Sequence, residues 1–231
     1  MHFVRRAVAP ALSSALTLIL ALGATPAQAA AGTPPSHSFR FPGVGLSPRV
    51  TDVSRAELGA SYEPGCPVPP ARLRLIEMNH WGFDGRVHRG ELIVHQDEVR
   101  PLLGVFAKAF GERFPIRRMR VMADYGGSDA AAMADDNTSA FNCRRVTGDP
   151  RQLSRHSYGD AVDINPLENP YVDSSGAVHP AAARRCLERD RPVRGLITDG
   201  DAITTAMEGI GWRWGGRWHP PDYQHFSADG T

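Results

Sequence analysis

Apolar and polar positions fall into short runs of different period along this chain, and the periods predict its elements. From Arg72 to Met78, Leu73 and Leu75 alternate with polar neighbours, the two-residue period of a half-buried strand. A turn at Gly82-Phe83-Asp84-Gly85 follows, and Glu91 to His95 reads as a second strand. Between Asp97 and Phe114 the period changes. Val99, Leu102, Leu103, Phe106 and Phe110 recur at helical spacing, with Asp97 and Glu98 near the start. Pro115 ends that helix, and Ile116 to Ala123 reads as a strand. Gly126 to Asp136 is small and polar and reads as a surface loop, whereas Ser139 to Val146 and Asp160 to Asn165 are further strand candidates. A polar, proline-bearing connection leads to a helix from about Asp201 to Gly209, and Gln224 to Ser227 is a short last element. Strands and helices do not alternate regularly and no repeat is visible. This favours an α+β fold with an antiparallel sheet over a doubly wound one.

The first residues follow a different logic. Arg5 and Arg6 give a basic start, an apolar stretch runs from about Ala11 to Ala24, and Ala27-Gln28-Ala29 is a small-x-small cleavage site. Residues 1–29 therefore read as a secretory signal peptide, with a core too short to span a bilayer comfortably; a retained anchor is the alternative. The arginine pair does not decide between the general and twin-arginine export routes. Residues 30–61, rich in Ala, Gly, Pro and Ser, read as a flexible N-terminal linker, and the ordered domain is expected over 62–231. The expected location is secreted, extracellular or at the cell wall, with no membrane partner after cleavage, and a monomer is expected.

Composition narrows the partners. The whole chain carries a formal charge of +1, and removing residues 1–29, with two arginines and no acid, leaves −1. A near-neutral mature chain argues against nucleic acid or anionic lipid as its main partner. The chain has 3 cysteines, Cys66, Cys143 and Cys186. In an exported protein two of them are expected to pair, with Cys66–Cys143 preferred although the sequence does not fix it. None forms a C-x-x-C pair, which disfavours a thiolate zinc cluster.

Two segments carry the chemistry. In Ser154-Arg155-His156-Ser157-Tyr158-Gly159-Asp160-Ala161-Val162-Asp163-Ile164-Asn165, His156 precedes a strand and Asp163 lies within it. On that strand Ala161, Asp163 and Asn165 share one face, leaving Val162 and Ile164 for the core, and Gly159 lets the backbone turn between the two candidate ligands. In Trp218-His219-Pro220-Pro221-Asp222-Tyr223-Gln224-His225-Phe226, two prolines stiffen the approach to Asp222 and His225. Zinc in a hydrolase takes three protein ligands and leaves a fourth position open. His156, Asp163 and His225 supply that count, and Asp222 is a non-ligand carboxylate for proton transfer. Zinc lowers the pKa of water from about 15.7 to about 7, on the order of 12 kcal/mol at ~1.36 kcal/mol per unit. The metal is therefore the decisive element. Taken singly, each residue has an ordinary alternative: a hydrogen-bonded surface or core histidine, or an acid in a turn.

Together, Ser-x-His-x-x-Gly-x-Ala-x-Asp over 154–163 and Asp-x-x-His over 222–225 resemble the zinc D-alanyl-D-alanine carboxypeptidases and related L-alanyl-D-glutamate endopeptidases, VanY-type enzymes of peptidoglycan. The resemblance spans about Tyr62 to Phe226. It implies the hedgehog/DD-peptidase fold, a central antiparallel sheet flanked by helices, and peptidoglycan stem peptides as substrate. It also implies Zn2+ on His156, Asp163 and His225, with Asp222 as catalytic acid/base. Thr138 to Arg144 resembles the region that supplies an arginine for substrate carboxylate or oxyanion, which makes Arg144 a catalytic candidate. On a strand its neighbour Arg145 would face away. Trp212, Trp214 and Trp218 read as a packed corner or a cleft wall, His219 as solvent-exposed, and Ser154 and Tyr158 as residues that orient a ligand. The alternatives carried forward are a non-catalytic cell-wall-binding protein of this fold with structural zinc, and iron or manganese in the same site.

Overall fold

In the computed structural model, which describes residues 45–146 and 149–231, the segment that begins at Leu73 forms a strand of 9 residues. The expected signal peptide and residues 30–44 of the expected linker lie outside the described residues. β1 (Arg49–Asp52) and a helical turn α1 (Arg55–Leu58) precede β2 (Leu73–Trp81) and β3 (Val87–His95). The strands form an antiparallel sheet in the order β1-β2-β3, with Leu73 opposite His95 and Trp81 opposite Val87. Ordered structure thus begins well before Tyr62, correcting the linker expected to reach residue 61. Arg49–Asp52 adds an edge strand along Arg74–Glu77, and a Ser54/Glu57 capping box fixes α1. Val53 and Leu58 are too sparse to show a period, yet both are buried.

Those two residues matter because the sheet has an apolar layer on each face. Ile76 and Met78 of β2 with Leu92 and Val94 of β3 face the main core, while Leu73 and Ile93 face a smaller one shared with Val53, Leu58 and Phe141. The main core is covered by α2 (Val99–Gly111), which buries Leu102, Val105, Phe106, Ala109 and Phe110. That i, i+3, i+4, i+7, i+8 stripe is what turns the helix toward the sheet. A 3-10 turn, Gln96–Glu98, leads into it, and Pro101 is tolerated in its first turn.

Beyond Pro115 the structure departs from the predicted elements. The strand expected over 116–123 shortens to β4 (Arg118–Met119) before a 3-10 turn, Met122–Tyr125. The loop expected over 126–136 contains helix α3 (Asp129–Ala134), because Ser128 caps it by accepting from the Ala131 amide and its alanines are good helix formers. β5 (Asn137–Thr138) pairs in parallel with β4, and only β6 (Arg145–Val146) of the strand expected over 139–146 is regular, paired with β7 (Asp149–Leu153). β8 (Ala161–Asp163) follows, then a small pair, β9 (Tyr171–Val172) and β10 (Val178–His179). Asp201 caps α4 (Ala202–Gly209) by accepting from the amides of Ile203 and Thr204. β11 (Arg213–Trp214) and β12 (His225–Ser227) complete a second three-stranded antiparallel sheet, ordered β11-β12-β8.

The architecture is α+β, with mixed helices and several small antiparallel sheets. Val162, Ile164 and Phe226 reach the same core as α2 and α4. Burying Phe226 contributes roughly 1.5–3 kcal/mol and fixes the backbone beside His225. Cys66 and Cys143 form a disulfide (S–S 2.03 Å), leaving Cys186 free and buried. Among the described residues no helix is long and apolar enough to cross a membrane.

Candidate metal centre

His225 and Asp163 face one another across the second sheet. β12 pairs with β8 so that His225 lies opposite Asp163 and Phe226 opposite Val162. With alternating side chains this sends Val162 and Phe226 inward and leaves His225 and Asp163 on the other face. On its far side Asp163 is bridged to Ser139, whose amide donates to the Asp163 carbonyl at 3.0 Å while Asp163 donates back at 2.9 Å. Asn165 does not share that face: β8 ends at Asp163, and Asn165 (φ 46°) leaves it to donate to the carbonyls of Pro115 and Gly195.

His156 arrives from a 3-10 turn, Arg155–Tyr158, that precedes β8 as expected. The turn is reversed by Gly159 at φ 73°, a left-handed conformation that favours glycine. His156, Asp163 and His225 are 2%, 7% and 6% exposed, and one ligand atom from each lies within 4.8 Å of the others. His156 Nε2 is 3.2 Å from His225 Nδ1 and 3.2 Å from Asp163 Oδ2, and His225 Nδ1 is 2.9 Å from Asp163 Oδ1. Donors about 2.0–2.1 Å from a tetrahedral zinc lie roughly 3.3 Å apart, so the spacing fits.

Tautomers point the same way. His156 Nδ1 lies 2.6 Å from the Ala140 carbonyl oxygen and His225 Nε2 lies 3.2 Å from the Thr231 main-chain oxygen. Each oxygen can only accept, so each outer nitrogen carries the hydrogen and the inner ones turn lone pairs toward a carboxylate. Three converging lone pairs require positive charge between them. Burial opposes charging His156, but Asp163 beside it overcomes this and raises its pKa. Burial likewise opposes ionising Asp163, and the two histidines outweigh it and hold its carboxyl well below the usual range. The group can hold a metal ion.

These residues open into a cavity of about 270 Å³ that also exposes Arg144, Tyr171, Trp218 and Asp222. Asp222 is placed by its amide, which donates to Gly215 O at 3.0 Å, and by a backbone bridge to Tyr171. Its Oδ1 is buried with no hydrogen-bond partner. Burial and then the Asp163 charge push its pKa up to about 7. Arg144 is ion-paired with Asp129, and its charge acts on both His156 and Asp222. Arg145 is exposed and donates to Arg151 O, so only one of the adjacent arginines reaches the cavity.

The other expectations divide. Trp212 and Trp214 are core residues, while Trp218 lines the cavity with its ring 5.4 Å from that of His225. Ser154 lines the cavity, whereas Tyr158 stacks under Arg155 and His219 is exposed. His88, His95 and His179 pair with Asp84, Asp97 and Asp173, away from the cluster. Asp129 and Tyr171 were missed. Asp129 lies in the segment expected to be a loop, where Ser128 before an alanine run is the signal, and nothing near Tyr171 in the sequence points to the cavity.

Residues 147–228 match the family model described as D-alanyl-D-alanine carboxypeptidase. No curated protein and no solved structure matches the chain. The matched segment contains His156, Asp163, Asp222 and His225 and stops short of Arg144. Over that segment the chain is similar to the D-alanyl-D-alanine carboxypeptidase family, and the match supports the VanY-type resemblance.

Proposed function

We propose that this chain is an exported zinc metallopeptidase that hydrolyses one peptide bond of peptidoglycan stem peptides, either terminal D-Ala-D-Ala or internal L-Ala-D-Glu. The observation that carries this reading is the convergence of His156 Nε2, His225 Nδ1 and the Asp163 carboxylate beside the unpartnered oxygen of Asp222 in one cavity. His156, Asp163 and His225 would hold the zinc, two nitrogens and one carboxylate being a common donor set for it. Bound there, zinc supplies Lewis acidity, polarising the scissile carbonyl and acidifying water.

The remaining work falls to the protein. Asp222, with a pKa near 7, is matched to proton transfer near neutrality: it takes a proton from the attacking water and returns it to the leaving amine. A neighbouring cation lowers that pKa and favours the carboxylate needed for the first step. Arg144, held by Asp129, offers a permanent positive charge to the oxyanion or to a substrate carboxylate. Tyr171 and Trp218 wall the cavity and orient the peptide. We take the fold to be the hedgehog/DD-peptidase one, acting as a monomer outside the cell. Metal analysis of the full chain, with mass spectrometry of digested muropeptides, tests the reading. The chain should carry one zinc and shorten the peptides, and Asp222→Ala should lower turnover by about 10²–10⁴-fold with zinc retained. Uncut peptides with zinc bound would favour a wall-binding protein instead.

A further inference from the structure

A second cavity, of about 400 Å³, shares no residue with the first and is lined by Arg89, Arg117, Arg118 and Arg120, with Asp135 its one carboxylate. Its construction is specific. On β4, Arg118 and the following Arg120 point outward on either side of buried Met119, as the two-residue period requires. β4 lies close against β3 because position 90 is glycine. A Cβ there would stand 2.6 Å from Met119 Cβ and 3.0 Å from His80 Cδ2. The missing side chain thus brings Arg118 and Arg120 beside Arg89 of β3.

The charges in this cleft do not balance. Arg118 is met by Asp135, with Nε 3.0 Å from Oδ2, and the same carboxylate also accepts from Tyr125 at 2.8 Å. Arg117 lies 3.4 Å from Asp136 and 4.0 Å from Glu168, its guanidinium 4.2 Å above the Phe83 ring. Arg89 donates only to uncharged acceptors, Ser47 O at 2.5 Å and Asn79 Oδ1 at 3.3 Å. The Arg120 side chain has no hydrogen-bond or ion-pair partner among the described residues; only its main chain bonds, to Asn137. Two guanidiniums therefore stand without counter-charge beside two already paired ones, on a chain that is otherwise near neutral.

We infer that this cleft binds an anion carrying more than one phosphate group. A guanidinium presents a planar fork of donors matched to two oxygens, and a carboxylate has only two oxygens to offer such forks. A phosphate has further oxygens and can take several forks at once, which is what the uncompensated Arg89 and Arg120 offer beside Arg118. The inference does not depend on the hydrolytic reading.

Isothermal titration of the full chain with inorganic tripolyphosphate tests it, with poly-L-glutamate as the carboxylate comparison. Tripolyphosphate should bind with an affinity that falls as salt rises, and Arg89→Gln/Arg120→Gln should weaken it at least tenfold. Arg184→Gln/Arg185→Gln removes the same charge from an exposed turn and should change it less than twofold. If the first double variant fails to fold, Arg120→Gln alone, which breaks no contact, should weaken binding at least threefold. Absence of binding by the parent chain, an equal loss in the Arg184/Arg185 control, or equally tight binding of poly-L-glutamate would each overturn the assignment.

Discussion

Replacing Gly159 by alanine probes the device that brings His156 and Asp163 together. The residue sits at φ 73°, and a Cβ built on it would lie 2.6 Å from the His95 amide nitrogen and 3.2 Å from the Val94 carbonyl carbon. Both neighbours are backbone of β3, and the His95 amide is already committed to Gly159 O at 2.8 Å. The added methyl therefore cannot be absorbed by a side-chain rotation. A left-handed non-glycine residue costs about 1–2 kcal/mol, and forcing a methyl into a packed site adds typically ~1–3 kcal/mol. The expected loss is roughly 2–5 kcal/mol in urea denaturation followed by tryptophan fluorescence. Gly176→Ala is the control, since Gly176 has φ 83° but nothing within 4 Å of its Cβ, leaving only the conformational cost. Because the turn spaces the two candidate ligands, Gly159→Ala should also weaken the proposed zinc binding in a chelator-competition titration by on the order of tenfold, as supporting residues do. A stability within about 0.5 kcal/mol of the Gly176→Ala control would refute the close-approach argument.

Other perturbations reach different parts of the molecule. Cys66→Ala/Cys143→Ala opens a disulfide spanning 77 residues, for which loop entropy gives about 4.5 kcal/mol; a calorimetric loss under about 1 kcal/mol would show the unfolded chain to be little constrained by it. Glu168→Gln addresses a buried carboxyl whose pKa is raised from 4.5 to about 8 by burial and then by Asp136. A raised pKa gives stability that is complete below 4.5 and lost as pH climbs through about 8, so the parent should weaken over that window and the variant less. Matching stability–pH curves for the two proteins would show that the group does not titrate there. Asp129→Asn removes the charge that holds Arg144 and should lower kcat/KM on a stem peptide about tenfold, within the usual reach of a positioning contact; unchanged kinetics would free Arg144 from any need of that partner.

Local chemistry decided much of what could be read early. The alternation at Leu73 and Leu75, the helical stripe from Val99 to Phe110 and the helix from about Asp201 to Gly209 each depend on neighbours a few residues away, and each reappears in the structure. The His-x6-Asp and Asp-x-x-His segments were legible for the same reason. The elements read wrongly were those whose apolar residues are too few to show a period. β1 and α1 exist because they cover the second face of the sheet, and α3 because Ser128 caps a run of alanines.

What the sequence by itself determined was therefore the inventory of chemically able residues and the longer elements, since those follow from spacing along one segment. The tertiary structure alone decided that His225 stands opposite Asp163 across β12 and β8, that Arg144 rather than Arg145 enters the cavity, and that Asp129 holds it. It also placed Arg89 beside Arg118 and Arg120 through the missing side chain of Gly90. Each of these is a meeting of residues far apart in the chain. Such meetings are set by strand register and by which faces can be buried together, quantities that belong to the packed whole.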